Sequence, residues 1–178
     1  MRTVEQDFAP SVLIGVKTGG FVVAEAMARA ATQATPVLPL TCRRPTTRFK
    51  SLFPGLKAIL AWTPRPLLNR LRQVEHRFLA ESRRRAAPPP VDHQEATAIG
   101  EWMTCSPHTS RVVVVDDAVD SGATLAAVLE TLREVCPPTA ELRTAAITVT
   151  TEHPAVEPDY VLYQGVLCRF PWSFDAAD

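Results

Sequence analysis

Two adjacent carboxylates, Asp116 and Asp117, come directly after four consecutive valines, and a Ser-Gly-Ala-Thr segment follows at residues 121–124. The run of β-branched residues predicts a buried strand, and the small residues behind it predict a turn that opens a helix. Main-chain N–H groups at such a helix start attract anions, and the helix dipole adds to this attraction. The segment therefore combines two carboxylates, which accept hydrogen bonds from hydroxyl groups, with a candidate phosphate site.

This combination suits a sugar phosphate, with its hydroxyl groups at the carboxylates and its phosphate at the turn. Carboxylates and phosphate repel each other, so a cation is implied, and Mg²⁺ is the expected ion. The patterns GxxxxGK(S/T) and GxGxxG are both absent from the segment, which excludes those two nucleotide-binding loops. Two other interpretations stay open at this point: an acidic turn that only caps the helix, and an acidic pair of the response-regulator type.

A second candidate anion site is the stretch GVKTGG at residues 15–20, which follows the first apolar run. Lys17 supplies positive charge, and Gly19 and Gly20 allow the main chain to approach a ligand closely. Arg43 and Arg44 end the second apolar run. These two arginines either bind an anion or form a solvated basic edge.

The elements around these residues predict an α/β fold with an open, mostly parallel, twisted sheet flanked by helices. Ligands of such sheets bind beyond the carboxyl ends of the strands, where Asp116 and Asp117 are expected. The predicted strands cover residues 11–16, 35–42, 111–117 and 142–150, with one or two short strands within 158–172, and the predicted helices cover 20–33, 91–103 with Asp92 as N-cap, and 121–135.

Residues from about 46 to 90 interrupt this alternation, and we interpret them as a helical insertion with a basic face. Three roles stay open for the basic face: a solvated surface or dimer contact, a lid over the anion site, and a nucleic-acid contact.

The composition excludes several classes of protein. The chain has 178 residues and a formal net charge of zero, so we expect one domain over residues 1–178 and no polyanion partner. It has no apolar run of about 18 residues, and its first ten residues lack the pattern of a secretion signal, so we expect none. The four cysteines are scattered without a CxxC pair. These features predict a cytoplasmic protein that binds no membrane, and its overall composition does not favour nucleic acid as a partner.

The segment VVVVDDAVDSGAT at residues 112–124 resembles the phosphoribosyl-pyrophosphate (PRPP) motif of type I phosphoribosyltransferases. The resemblance implies that Asp116 and Asp117 hold the ribose 2′- and 3′-hydroxyls. It also implies that Asp120 lies near N7 of a purine as a candidate general acid or base. The residues expected to wrap the 5′-phosphate are Ala118, Val119, Asp120, Ser121, Gly122, Ala123 and Thr124.

The same resemblance assigns pyrophosphate binding to the first loop. It implies that Lys17, Thr18, Gly19 and Gly20 bind pyrophosphate, with a non-proline cis peptide near Lys17-Thr18. It further implies a basic residue at the end of the second strand, Arg43 or Arg44. The implied reaction is the Mg²⁺-dependent transfer of phosphoribose from PRPP to a nitrogenous base, preferably purine-like, with release of pyrophosphate.

The C-terminal segment, with PDYV at residues 158–161 and FPW at residues 170–172, resembles the hypoxanthine, xanthine and guanine branch. In that branch the tail forms a small hood over the base, here about residues 158–178. The sequence departs from the branch in two places. Thr150 or Thr151 stands where a lysine contacts the purine oxygen, and Leu167 stands at the position that stacks on the base. Further residues expected at the site are Cys168, at the base, and Asp175, as a second-metal ligand.

Two other functions stay open on the sequence alone: a non-catalytic PRPP-binding regulator of the same fold, and a transferase whose acceptor is not a base. Asp120 and the complete KTGG loop favour an enzyme, because a regulator needs neither. Relatives usually carry a helix before the first strand, which here starts near Ser11. We therefore expect either a homodimer or a partner chain that completes the N-terminal layer.

Overall fold

The computed structural model describes residues 1–43, 88–106 and 111–172. Its strands form one parallel five-stranded sheet in the order β2-β1-β3-β4-β5. The strands are β1 (Val12–Lys17), β2 (Val37–Thr41), β3 (Arg111–Val119), β4 (Glu141–Val149) and β5 (Tyr160–Gln164), and the helices are α1 (Arg2–Asp7), α2 (Gly19–Arg29), α3 (His93–Cys105) and α4 (Ala123–Val135). This architecture confirms the predicted fold class.

The middle parts of β1 and β3 are apolar on both faces, as expected for a parallel sheet that helices cover on both sides. In β3 the four valines alternate between the faces, and all four are fully buried. Val112 and Val114 pack in one core with buried residues of α3 and α4. Val113 and Val115 pack in a second core with α2 and with Val4 of α1. The four-valine run thus places the Asp116-Asp117 pair by anchoring β3 in both cores.

The segment before β1 forms a helix that the sequence pattern did not predict. Val4 and Phe8 are buried there, and Asp7 Oδ2 accepts hydrogen bonds from Arg143 Nη1 at 2.6 Å and from the Tyr160 hydroxyl at 2.5 Å. The Arg143 guanidinium also lies 4.4 Å from the Phe8 ring centre. The chain itself therefore forms a short helix before β1, in the N-terminal layer that we expected a partner to complete.

The described parts of the chain agree closely with the other predicted elements. Asp92 caps α3 as expected, since its side chain accepts from the main-chain N–H groups of Gln94 and Glu95. Most of the expected insertion, about residues 46–90, lies outside the described residues, as do residues 173–178 of the hood. Within the described ranges, no helix has the length and apolar character needed to cross a membrane.

Candidate active site

The two aspartates lie inside the last part of β3, which continues beyond the predicted end at residue 117 to Val119. Asp116 is only 2% exposed, and its Oδ1 accepts from the Asp117 N–H at 2.9 Å. Asp117 Oδ1 accepts from the Ala118 N–H at 2.9 Å. Main-chain donors thus orient both carboxylates at the carboxyl edge of the sheet.

Asp117 is also the point where three distant segments meet. Its Oδ2 accepts a hydrogen bond from Trp172 Nε1 at 2.7 Å. A Cβ atom placed on Gly19 would lie 1.8 Å from the same oxygen and 2.4 Å from Trp172 Nε1. The start of α2 therefore packs directly against the Asp117 carboxylate, and a larger residue at position 19 would have to displace this carboxylate and the Trp172 ring.

Trp172 is a site residue whose contact sequence reasoning missed. The FPW segment resembles the hood of the family, but nothing in that pattern indicated a bond to Asp117. Trp172 stacks on Phe170 with ring centres 5.2 Å apart and an angle of 8° between the planes. The stacked pair holds the C-terminal segment against the start of α2.

The turn after β3 has the geometry of a helix start. Gly122 is the N-cap of α4 with φ +76°, in the left-handed region, where a glycine is favoured. Ser121 Oγ accepts from the Ala123 N–H at 3.4 Å. The first N–H groups of a helix lack partners within the helix, so the start of α4 provides the donors that a phosphate group requires.

The first loop contains the cis peptide Lys17-Thr18 that the family resemblance implied. Thr18 is the N-cap of α2, and Gly19 is its first residue. This loop and the turn before α4 lie at the same edge of the sheet, because β1 and β3 are adjacent and parallel. Two helix starts therefore flank the carboxylates of β3.

Glu95 is a second residue that sequence reasoning missed. Its Oε1 accepts from Lys17 Nζ at 2.6 Å, and its Oε2 accepts from the Thr41 N–H at 2.6 Å. Asp92 followed by Glu95 is the spacing of a capping box, in which the glutamate turns back to the N-cap. Here Glu95 instead joins the carboxyl ends of β1 and β2. The capping spacing in the sequence therefore gave no indication of the ion pair between Glu95 and Lys17.

The Lys17–Glu95 pair favours the ionised form of the Glu95 carboxyl. Burial raises the pKa of this carboxyl, but hydrogen bonds from Lys17 and from Thr41 outweigh that effect, and the net pKa of Glu95 is lowered. A lowered pKa in the folded state means that the pair stabilises the fold above the ordinary pKa of glutamate. This stabilisation is lost as the pH falls through the lowered value.

We expect Glu95→Gln to reduce the free energy of unfolding at pH 7 by about 1 kcal/mol, because the pair is partly exposed to solvent. The difference from the unsubstituted protein should shrink as the pH falls below about 4. Urea unfolding at both pH values measures this. Glu101→Gln, an exposed glutamate of the same helix, is the matched control, and an equal loss in both variants would contradict the role of the ion pair.

The expected base-binding residues lie beside the next strand. Thr150 follows β4, and its Oγ1 donates to Asp120 Oδ1 at 2.7 Å. The hood begins close by, since the Gly165 N–H donates to the Val149 carbonyl at 2.8 Å. Leu167 is 62% exposed, and Cys168 is half-buried.

Arg43 and Arg44 are the arginines predicted at the end of the second strand. Arg43 is exposed, and its main-chain N–H donates to the Pro90 carbonyl at 3.0 Å. Arg44, Asp175 and the arginines of the expected basic helix lie outside the described residues. In the described ranges, no group of three or more His, Cys, Asp or Glu side chains is arranged to hold a metal ion.

The family model of the phosphoribosyl transferase domain matches residues 63–178. No curated protein matches the sequence.

Three solved structures resemble the fold, each at 18% sequence identity. For the xanthine-guanine-hypoxanthine phosphoribosyltransferase of Helicobacter pylori the TM-score is 0.58, with 98% of this chain and 83% of that chain covered. For the purine phosphoribosyltransferase of Pyrococcus horikoshii Ot3 the TM-score is 0.54, with 97% and 82% covered. For a hypoxanthine-guanine phosphoribosyltransferase of Bacillus anthracis the values are 0.51, 92% and 73%.

The family match begins at residue 63, whereas the structural likeness extends over nearly the whole chain and so includes the β1–α2–β2 unit that carries the first loop. The motif after β3 lies within the matched range. The chain therefore belongs to the phosphoribosyl transferase domain family, and it is a PRPP-dependent glycosyltransferase with a type I phosphoribosyltransferase fold.

Proposed function

We propose that the chain transfers phosphoribose from PRPP to a purine-like base in a Mg²⁺-dependent reaction that releases pyrophosphate. The observation that carries this proposal is the close packing of Gly19 against Asp117. It brings the start of α2 next to a carboxylate of β3, which is in turn joined through Ala118–Thr124 to the start of α4. This arrangement supports a candidate pyrophosphate site, candidate acceptors for the ribose hydroxyls and a candidate 5′-phosphate site that follow one another in the order of the groups of PRPP.

The ribose and its 5′-phosphate are assigned to β3 and the turn behind it. Asp116 and Asp117 accept hydrogen bonds from the two ribose hydroxyls, and main-chain donors already hold these carboxylates in place. The 5′-phosphate accepts hydrogen bonds from the Ser121 and Thr124 hydroxyls and from the first N–H groups of α4.

The pyrophosphate is assigned to residues 17–20, with Arg43 or Arg44 as a further positive group. In the structure Lys17 is bound to Glu95. Bound pyrophosphate therefore competes with Glu95 for the Lys17 ammonium, and the remaining attraction comes from the main chain at the start of α2.

The residues at this edge fit Mg²⁺ that is bound largely through the substrate. Mg²⁺ commonly binds through one or two carboxylates together with substrate phosphate oxygens. Asp116 and Asp117 are such a pair, and they would contact the ion mostly indirectly, through PRPP. Asp175 is the candidate ligand for a second ion. The bound ion would neutralise charge on the leaving pyrophosphate.

The chemistry is mainly positioning and electrostatic stabilisation. The bond between C1′ and the pyrophosphate oxygen breaks through an oxocarbenium-like state, and a ring nitrogen of the base attacks C1′. Asp120 is the first residue after β3, and it exchanges a proton with the base as general acid or base. Leu167 and Cys168 of the hood flank the base.

Pyrophosphate release tests the proposal directly. The protein is incubated with PRPP and a panel of purines, with Mg²⁺ or with excess EDTA. We expect release with at least one purine, and only in the presence of Mg²⁺. PRPP binding without release for any base would indicate the regulatory alternative, and release that persists in EDTA would contradict the metal requirement.

Asp117→Ala is expected to weaken PRPP binding by about tenfold or more, because hydrogen bonds to a charged group are lost. Isothermal titration with PRPP and Mg²⁺ measures the change in Kd. Glu157→Ala, which removes an exposed carboxylate, should bind PRPP like the unsubstituted protein. Equal Kd values for both variants would refute the ribose assignment of Asp117.

A further inference from the structure

The Asp120–Thr150 pair is held in place by the main chain on both sides. The strands that precede the two residues are paired, with Val119 opposite Val149. The Thr150 N–H donates to the Val119 carbonyl at 2.9 Å, so the first residues beyond the two strands remain in register. The 2.7 Å bond between Thr150 Oγ1 and Asp120 Oδ1 is therefore part of a fixed arrangement.

The direction of that bond follows from the chemistry of the two groups. An ionised carboxylate only accepts hydrogen bonds, whereas a hydroxyl has a single proton to donate. Thr150 consequently gives its proton to Asp120, and its oxygen retains only lone pairs for a ligand. The pair therefore presents two acceptors side by side.

Three donors near this edge are already bonded within the protein. Thr148 Oγ1 donates to the Val166 carbonyl, the Gly165 N–H donates to the Val149 carbonyl, and the Ala155 N–H donates to the Ser121 carbonyl. These three protons are therefore not available to a ligand beside Asp120. A carbonyl oxygen of a base placed there would meet the lone pairs of Thr150, which is unfavourable.

We propose that the Asp120–Thr150 pair selects bases that carry an exocyclic amino group beside the ring nitrogen bound by Asp120, over the corresponding oxo bases. This inference rests on the proposed function, because it concerns the base of the same reaction. The ring N–H donates to Asp120, and the adjacent amino group donates to Thr150. The exposed apolar side chains of Val166 and Leu167 follow directly in the hood and provide surface for the flat face of the ring.

Adenine and hypoxanthine are the matched probes, because they differ in this group: amino in one, oxo in the other. The ratio of their kcat/KM values is measured by pyrophosphate release with PRPP and Mg²⁺. We expect a ratio of about ten or more in favour of adenine, equivalent to one hydrogen bond gained rather than lost. A preference for hypoxanthine would overturn the inference while leaving the proposed function intact, and no release with any base would overturn both.

Substitutions at Thr150 separate a direct role from a structural one. Thr150→Ser keeps the hydroxyl and should keep the preference for adenine. Thr150→Val has nearly the same shape without the hydroxyl, and its ratio should fall to within about threefold of unity. Thr150→Lys adds N–H donors and should favour hypoxanthine. An unchanged ratio in a folded Thr150→Val or Thr150→Lys variant, as judged by circular dichroism, would overturn the inference.

Discussion

Asp120→Asn is expected to lower kcat by about 100- to 10,000-fold, the range in which a positioned acid or base contributes, with little change in the Kd of PRPP. Asparagine has the shape of aspartate and keeps an oxygen that accepts from Thr150, so the 2.7 Å contact survives. It cannot exchange a proton at this position. The substitution should therefore lower kcat and leave the affinity for PRPP nearly unchanged.

Steady-state pyrophosphate release and equilibrium titration of PRPP measure the two quantities separately. Thr150→Val serves as the control, because it removes the hydrogen bond to Asp120 and keeps the carboxylate. Its kcat with the better base should fall far less than that of Asp120→Asn. If PRPP affinity collapses together with kcat in Asp120→Asn, then Asp120 is a binding residue, and its proposed role as acid or base is wrong.

Gly20→Ala is expected to destabilise the protein by about 3 kcal/mol, at the upper end of the cost of overpacking. A Cβ atom at this position would lie 2.3 Å from the Val115 carbonyl oxygen and 2.8 Å from the Asp116 Cα. Both atoms belong to the main chain of β3, so no side chain can move aside. Helix α2 must then shift away from the strand that carries the aspartates.

Thermal unfolding should show a fall in Tm of about 6–12 °C for a chain of this length. The same shift should also weaken PRPP binding, since α2 and β3 carry the two halves of the site. Gly165→Ala is the stability control: its φ is +69° and no atom lies within 4 Å of the added Cβ, so only the backbone cost of about 1 kcal/mol is expected. A Gly20→Ala variant with the stability of Gly165→Ala would contradict the close packing.

Much of the arrangement of elements around the candidate site was predictable because its parts are local in the sequence. The valines before Asp116 and the small residues after Asp120 indicated a strand, a turn and a helix in the order that the structure has. The loop after β1 was also predictable from neighbouring residues, and its cis peptide was implied by the family resemblance. Asp92 capped the helix that its neighbours predicted. The single-domain organisation, the dimer, the cytoplasmic location and the Mg²⁺ requirement stay predictions.

The amino-acid sequence by itself determined which segments carry the carboxylates, the candidate anion sites and the buried strands, since each depends on residues within one turn or strand. Only the tertiary structure decided how these parts combine. Glu95 meets Lys17 across 78 positions, Trp172 meets Asp117 across 55, and Thr150 meets Asp120 across 30. Such contacts depend on the strand order and on where each chain segment crosses the sheet. Hydrophobic periodicity describes one element at a time and carries no information about which elements become neighbours.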